Sequence, residues 1–203
     1  MRAWHFLRED KRLGYDDGRV VQVGKTYRLE SGHPVLCANG MHGSLRLIDA
    51  LGYAPGPIVC RVDITGDVAG GDDKIVGRER KVLAMADATL VLHEFACRCA
   101  EDALRAAKID DSRCFEAIRA KRRWLAGEIG SAAASAAARA AASAAAWDAA
   151  WDAARDAASA AARAAAWDAA LAAAWDAARD AQNRRLTAMV SALLRATVHG
   201  EES

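Results

Sequence analysis

A histidine set between glycines is the first feature of this chain that could do chemistry. His42 stands in the stretch Cys37-Ala38-Asn39-Gly40-Met41-His42-Gly43-Ser44. Imidazole exchanges protons near neutral pH, and flanking glycines let backbone come close to a ligand. Ser44 is placed to cap a following helix, whose first amides would suit an anion. The same residues also fit a loop histidine bonded to its own backbone. His5, between Trp4 and Phe6, either lies near His42 or is a half-buried strand residue. Lys74, Arg78 and Arg80 follow Asp72-Asp73; they could clamp phosphates, arginine through its forked guanidinium. The alternative is the wet face of an edge strand. Glu94 is read as a charge near a helix N-terminus rather than a catalytic carboxylate. The candidate ligand-binding set is therefore His5, His42, Ser44, Lys74, Arg78 and Arg80, and no catalytic residue is assigned.

Other chemistries lack their signatures. The chain has no phosphate-binding Walker loop, no Gly-x-Ser-x-Gly elbow and no His-Glu-x-x-His pair. Cys97-x-Cys99 leaves one intervening residue where zinc pairs need two or more, so neither metal nor cofactor is expected. Five cysteines and no leader-like start point to reduced thiols in a cytoplasm. Lys and Arg number 28 against 27 Asp and Glu, a balance that argues against general nucleic-acid binding.

The positioning elements follow from residue patterning. Ala3–Leu7 reads as an opening strand and Arg8–Gly18 as a charged turn region. Val20–Val23 with Gly24–Leu29 reads as a short strand or hairpin. The stretch Cys37–Ser44 reads as a Gly-punctuated loop, and Leu45–Leu51 as a short helix capped by Ser44. Ile58–Ile64 alternates as a strand, Gly66–Asp73 is a loop, and Lys74–Leu83 is a second strand or strand-and-bend. From Ala88 the period turns helical through about Lys108, and a basic helix runs from Ser112 to about Ala126. The expected class is α+β: a small mixed-strand domain over 1–127, then one very long alanine-rich helix over 128–203 for oligomerisation.

From Ser131 to Val198 there is neither Gly nor Pro, and alanine is the strongest helix former. Arg and Asp interrupt the run too often for a membrane span. Every fourth residue is larger or more polar, and four residues on a 3.6-residue turn advance by roughly 40° per step. The special positions therefore spiral. Trp147 and Trp151 fall nearly opposite Trp167, Leu171 and Trp175, whose patch Leu186, Met189 and Leu193 extend as an amphipathic stripe. Two apolar faces imply two packing neighbours: one the chain's own front domain, the other a second copy. A homo-oligomer built on these residues is the expectation.

The motifs Arg2-Ala3-Trp4-His5-Phe6, Cys37-x-x-Gly40-Met41-His42-Gly43-Ser44, Asp72-Asp73-Lys74-Ile75-Val76, Ala86-Asp87-Ala88-Thr89 and Ala181-Gln182-Asn183-Arg184 resemble those of small proteins from actinobacteria and their phages. The likeness implies a phage or prophage origin and residence in the bacterial host cytoplasm. A fainter likeness is to ADP-ribosyltransferase-like folds, in which an early strand carries a histidine beside an aromatic residue and a Gly-x-His-x-Ser-like loop follows. The third element of such folds, a glutamate late in a strand, has no counterpart here. The expected function is a non-catalytic binding protein holding a small anionic nucleotide-like ligand, in the manner of sequestering a host immune signal. The alternatives are an enzyme acting on NAD or cyclic nucleotides in the same pocket, and a structural or protein-interaction module carried by the tail.

Overall fold

The computed structural model describes residues 1–14, 17–106, 108, 110–133, 135–136 and 164–200, with side chains except at 164–175 and 198–200. The elements run β1 (Arg2–Leu7), β2 (Thr26–Arg28), β3 (Met41–Gly43), α1 (Leu47–Gly52), β4 (Ile58–Thr65), β5 (Ala69–Gly70), β6 (Ile75–Gly77), β7 (Glu79–Asp87), α2 (Thr89–Ala106), α3 (Ser112–Leu125) and α4 (Ala164–Gly200). The class is α+β, an antiparallel sheet region followed by helices. Where composition sets a boundary at 127/128, the compact units are instead Met1–Leu92 with Ala181–Ser203, and His93–Asp180.

The first unit is built on a four-stranded antiparallel sheet in the order β1-β4-β7-β2, with a smaller sheet, β3-β6-β5, beside it. Side chains alternate between faces of a strand, so register decides the company each residue keeps. Ala3, His5 and Leu7 of β1 pair with Val62, Cys60 and Ile58 of β4. These share the inner face with Val82 and Tyr27, and with Met41 and Ile75 of the small sheet they form the apolar core. A bulge opposite Arg61/Val62 leaves Leu83 as the extra residue of β7, since Arg61 pairs with Ala84 and Val62 with Val82. Without it, Arg80 and Met85 would point to opposite faces.

Trp4, Phe6, Val59 and Arg61 occupy the outer face by the same alternation. The last turns of α4 belong to this unit. Leu186, Val190 and Leu194 are buried at helical spacing, and the Asn183 side-chain oxygen accepts a hydrogen bond from the Ile48 amide at 3.1 Å. Leu186 has no exposed surface left for a second chain, while Met189 and Leu193 are half-buried. Trp147 and Trp151 lie outside the described residues, as do the side chains of Trp167, Leu171 and Trp175.

The second unit contains α2 from His93 onward, and α3. Arg122 of α3 is its tie, donating to Glu94 at 3.0 and 3.2 Å and to Glu101 at 2.5 and 3.2 Å. Its guanidinium holds both carboxyls below their ordinary range. His93 packs edge-on against Trp124 with ring centres 5.4 Å apart. Asp111 caps α3 by accepting from the Arg113 amide.

Several local expectations change. Ser44 is not a helix cap: α1 starts at Leu47 after Arg46, which makes no capping bond, while Ser44 bridges Trp4 through both backbone groups at 2.8 and 2.9 Å. The expected Gly-punctuated loop contains β3, and the loop before Lys74 contains β5. The glycines of that stretch serve packing. A Cβ on Gly43 would stand 2.8 Å from Ile64 Cδ1 and 3.1 Å from the Trp4 carbonyl, and one on Gly77 would meet Ile64 Cγ2 at 2.6 Å and the Thr65 carbonyl at 2.8 Å. The small sheet approaches β4 only because both positions lack a side chain. Gly77→Ala is therefore expected to lower stability by about 1–3 kcal/mol. Gly52→Ala, where a Cβ meets nothing within 4 Å, is the near-neutral control in the same thermal melts.

Candidate functional site

The six residues singled out from the sequence divide by what they hold. Arg78 closes a surface latch, donating to Asp67 at 3.1 Å and to the Gly32 carbonyl at 2.8 Å. The Lys74 ammonium sits 3.9 Å from the centre of the Tyr53 ring, and hydrogen bonding to Cys37, then to Tyr53, raises its pKa. Tyr53 in turn donates to Asp73. Ser44, 2 % exposed, is locked in its bridge to Trp4.

His42 is bonded to its own loop. Its Nδ1 lies 3.0 Å from the Gly40 carbonyl and its Nε2 accepts from the Cys37 amide at 3.1 Å, which assigns the proton to Nδ1 and leaves the ring neutral. Burial lowers its pKa further than the Gly40 bond raises it, and the charges of Arg80 and Lys74 push the same way. A proton shuttle needs a free ring nitrogen, and His42 offers none.

His5, His42 and Arg80 do converge on the inner face. Arg80, 4 % exposed, donates from Nη1 to the His42 carbonyl at 3.0 Å. Burial pulls its pKa down to about 10, and its charge is felt at His5, whose own pKa burial lowers well below the usual value. Cys60 pairs with His5 across β4. Its thiol is pushed up to about 12 by burial, which keeps it protonated and unreactive at neutral pH.

A second polar site lies on the outer face. There Arg2, Trp4, Arg61, Leu83 and Ala84 of the sheet and Thr187, Ser191, Leu194 and Arg195 of α4 line a cleft of about 480 Å³. The Arg61 guanidinium carbon lies over the Trp4 ring, 4.4 Å from the ring centre. Burial and the neighbouring charge of Arg2 lower the Arg61 pKa, opposed by Asp63. Asp63 itself pairs with the N-terminal ammonium at 3.2 Å. None of the nine lining residues is His, Cys, Asp or Glu. The cleft is thus basic and aromatic-floored, with two hydroxyls and, among its lining residues, no His, Cys, Asp or Glu to activate them.

Sequence reasoning passed over this cleft because half of it comes from α4, far away in the chain. The readable part was Arg61: it alternates against buried Cys60 and Val62, so it had to face away from the core with Trp4. Among the described residues, no group of three or more His, Cys, Asp or Glu is arranged to hold a metal ion, and no helix is long and apolar enough to cross a membrane.

The depressed His5 pKa gives a pH signature. The unfolded chain takes up the His5 proton near pH 6.5, whereas folding opposes that uptake. Stability is therefore complete above pH 6.5 and falls as the pH drops below it, by up to about 1.4 kcal/mol per pH unit. His5→Gln should flatten the slope between pH 7 and 5 in chemical denaturation, leaving the contributions of the other histidines that folding holds toward the neutral form, His42 and His93. Equal slopes for both proteins would count against this environment.

Comparison with known proteins bears on the first unit alone. Residues 1–94 match the model of a domain of unknown function, DUF7666, and the match ends two residues beyond Leu92, where the first segment of that unit ends. No curated protein and no solved structure matches the chain.

Proposed function

We propose that this chain is a non-catalytic binding protein for a small anionic, nucleotide-like ligand, and that the outer-face cleft is where it binds. The carrying observation is the convergence of three guanidinium groups, Arg2, Arg61 and Arg195, on one cleft without a carboxylate among its lining residues. Arginine offers paired donors to phosphate oxygens. Arg61, held over the Trp4 ring, gives a cation–π pair against which a base can pack. Thr187 and Ser191 supply hydroxyls for a sugar or phosphate edge, and the volume falls in the range of small-molecule sites.

The lack of a carboxylate or imidazole beside the two hydroxyls of the cleft favours holding over turnover, which is what sequestration of a host signal requires. The resemblance to actinobacterial and phage proteins motivates cyclic dinucleotides and ADP-ribose as probes, and a bacterial host cytoplasm as the setting. Calorimetry at low salt should register binding of at least one of these. Arg61→Met and Arg195→Met should each weaken it about tenfold or more, since one charge-assisted hydrogen bond contributes about 1.5–3 kcal/mol. No heat with any probe removes the reading; products formed from NAD or a cyclic dinucleotide would replace it with an enzymatic one.

Assembly through the long helix belongs to the same proposal and rests on the tetrad spacing of Trp147, Trp151, Trp167, Leu171 and Trp175. Cutting the chain at residue 130 is a poor test, because it removes Leu186 and Val190 from the first unit's core. Light scattering of the full-length protein is the suitable one. An oligomer is expected, and a monomer at tens of micromolar sinks this part.

A further inference from the structure

The apolar stripe near the C-terminal end of α4 repeats every four residues. Leu186, Val190 and Leu194 are buried, and Val198 continues the series in the sequence. A helix moved by one turn would set Val190, Leu194 and Val198 where Leu186, Val190 and Leu194 now lie. Apolar burial is non-directional, so it does not separate these two registers. The opposite shift would place Gln182 in the buried position of Leu186 and is disfavoured.

One directional contact does separate them. The Asn183 side-chain oxygen accepts from the Ile48 amide at 3.1 Å, across 135 residues of chain. Ile48 is the second residue of α1, and its amide is one of those that a helix N-terminus leaves without an internal partner. Arg46, at the cap position, makes no side-chain capping bond. The cap that α1 lacks locally is therefore supplied by α4. Thr187, Ser191 and Arg195, the three polar residues that α4 gives the cleft, follow Asn183 in successive steps of four. A one-turn slip of about 6 Å would carry Arg195 to the place of Ser191 and take Thr187 out of the lining. Thr187 would then face the Ile48 amide with a hydroxyl one bond nearer its own backbone than the Asn183 oxygen, a poorer match to that contact.

We propose that Asn183 is a positioning residue for the outer cleft: its bond to Ile48 selects, from two registers that the apolar stripe accepts, the one that composes the site. A single asparagine in an apolar seam fixes register in coiled coils by the same means. One hydrogen bond shifts such an equilibrium by roughly tenfold. The consequence for binding rests on the reading of the cleft given above; the register itself does not.

The test places spin labels, carried on p-acetylphenylalanine, at exposed Arg184 of α4 and, in separate proteins, at exposed Arg8 or Thr65. These two reference positions follow opposite ends of the β1–β4 pairing. Pulsed dipolar spectroscopy of the full chain without ligand should give one distance per pair in the wild type. The same is expected of Asn183→Asp, which keeps the acceptor oxygen. Asn183→Leu should add a second population, displaced by up to about 6 Å from at least one reference position. A single unshifted distance from both positions in Asn183→Leu overturns the proposal. Should that variant not fold, Asn183→Ala is read in the same way. Calorimetry with ADP-ribose then reads the consequence: affinity falls in proportion to the molecules left in the native register, and Asn183→Asp restores it. Unchanged affinity in a slipped Asn183→Leu would refute the positioning role. No heat from the wild type removes the binding reading and leaves the register to be decided by the distances.

Discussion

The pairing of β1 with β4, and of β4 with β7, decides which side chains in the first unit can meet at all. Strand alternation sends Trp4 and His5, adjacent in the chain, to opposite sides of one sheet. Their partners across β4, Arg61 and Cys60, separate with them. Each face thereby acquires its own cationic feature: Arg61 over the Trp4 ring outside, Arg80 bonded to the His42 carbonyl inside. The bulge at Leu83 completes the arrangement. It keeps Arg80 and Val82 inward with Val62 and Ile64 while turning both Leu83 and Ala84 toward the outer cleft.

The two cations differ in what they ask of the molecule. Arg61 is half-buried on an indole face and open to solvent, so its charge carries little cost and is available for recognition. Arg80 is enclosed, and a guanidinium cannot shed its proton at neutral pH even after burial has pulled its pKa down to about 10. The inner face also carries two histidines that folding holds toward the neutral form, so the positive charge there is concentrated on one group. That asymmetry leaves Arg61, rather than Arg80, as the cation open to a ligand.

The legible part of this architecture was the part encoded by local periodicity. The alternation of Ile58–Ile64, the bend within Lys74–Leu83 and the two helices after Ala88 all stand out in the sequence, because each buries a face at its own period. The three-residue strand Met41–Gly43 does not, since glycine and histidine there mark a close approach to Ile64 that only the tertiary fold reveals. Arg80 looked like one of several wet-face cations, in series with Lys74 and Arg78. Of the three only Arg80 falls within a strand, and Val82 two residues on is buried, which was the overlooked sign that it points inward. His42 was picked out by its glycines, yet its ring is taken up by Gly40 and Cys37 of its own loop. Arg195 and Ser191 could not be placed from pattern alone, because nothing local says which sheet face a distant helix will meet.

That last point bears on where function resides. Arg2, Trp4, Arg61, Leu83 and Ala84 all lie within the matched residues 1–94, while Thr187, Ser191, Leu194 and Arg195 lie outside them. The sheet alone would expose Trp4 and Arg61 as a flat, basic patch; the helix turns the patch into a walled cleft and adds the third guanidinium. Leu186 and Val190, fully buried, fix that helix as part of the unit's core rather than an appendage. The inner-face bond from Arg80 to the His42 carbonyl, by contrast, lies wholly within residues 1–94. The cleft is therefore a property of the matched domain joined to the C-terminal helix.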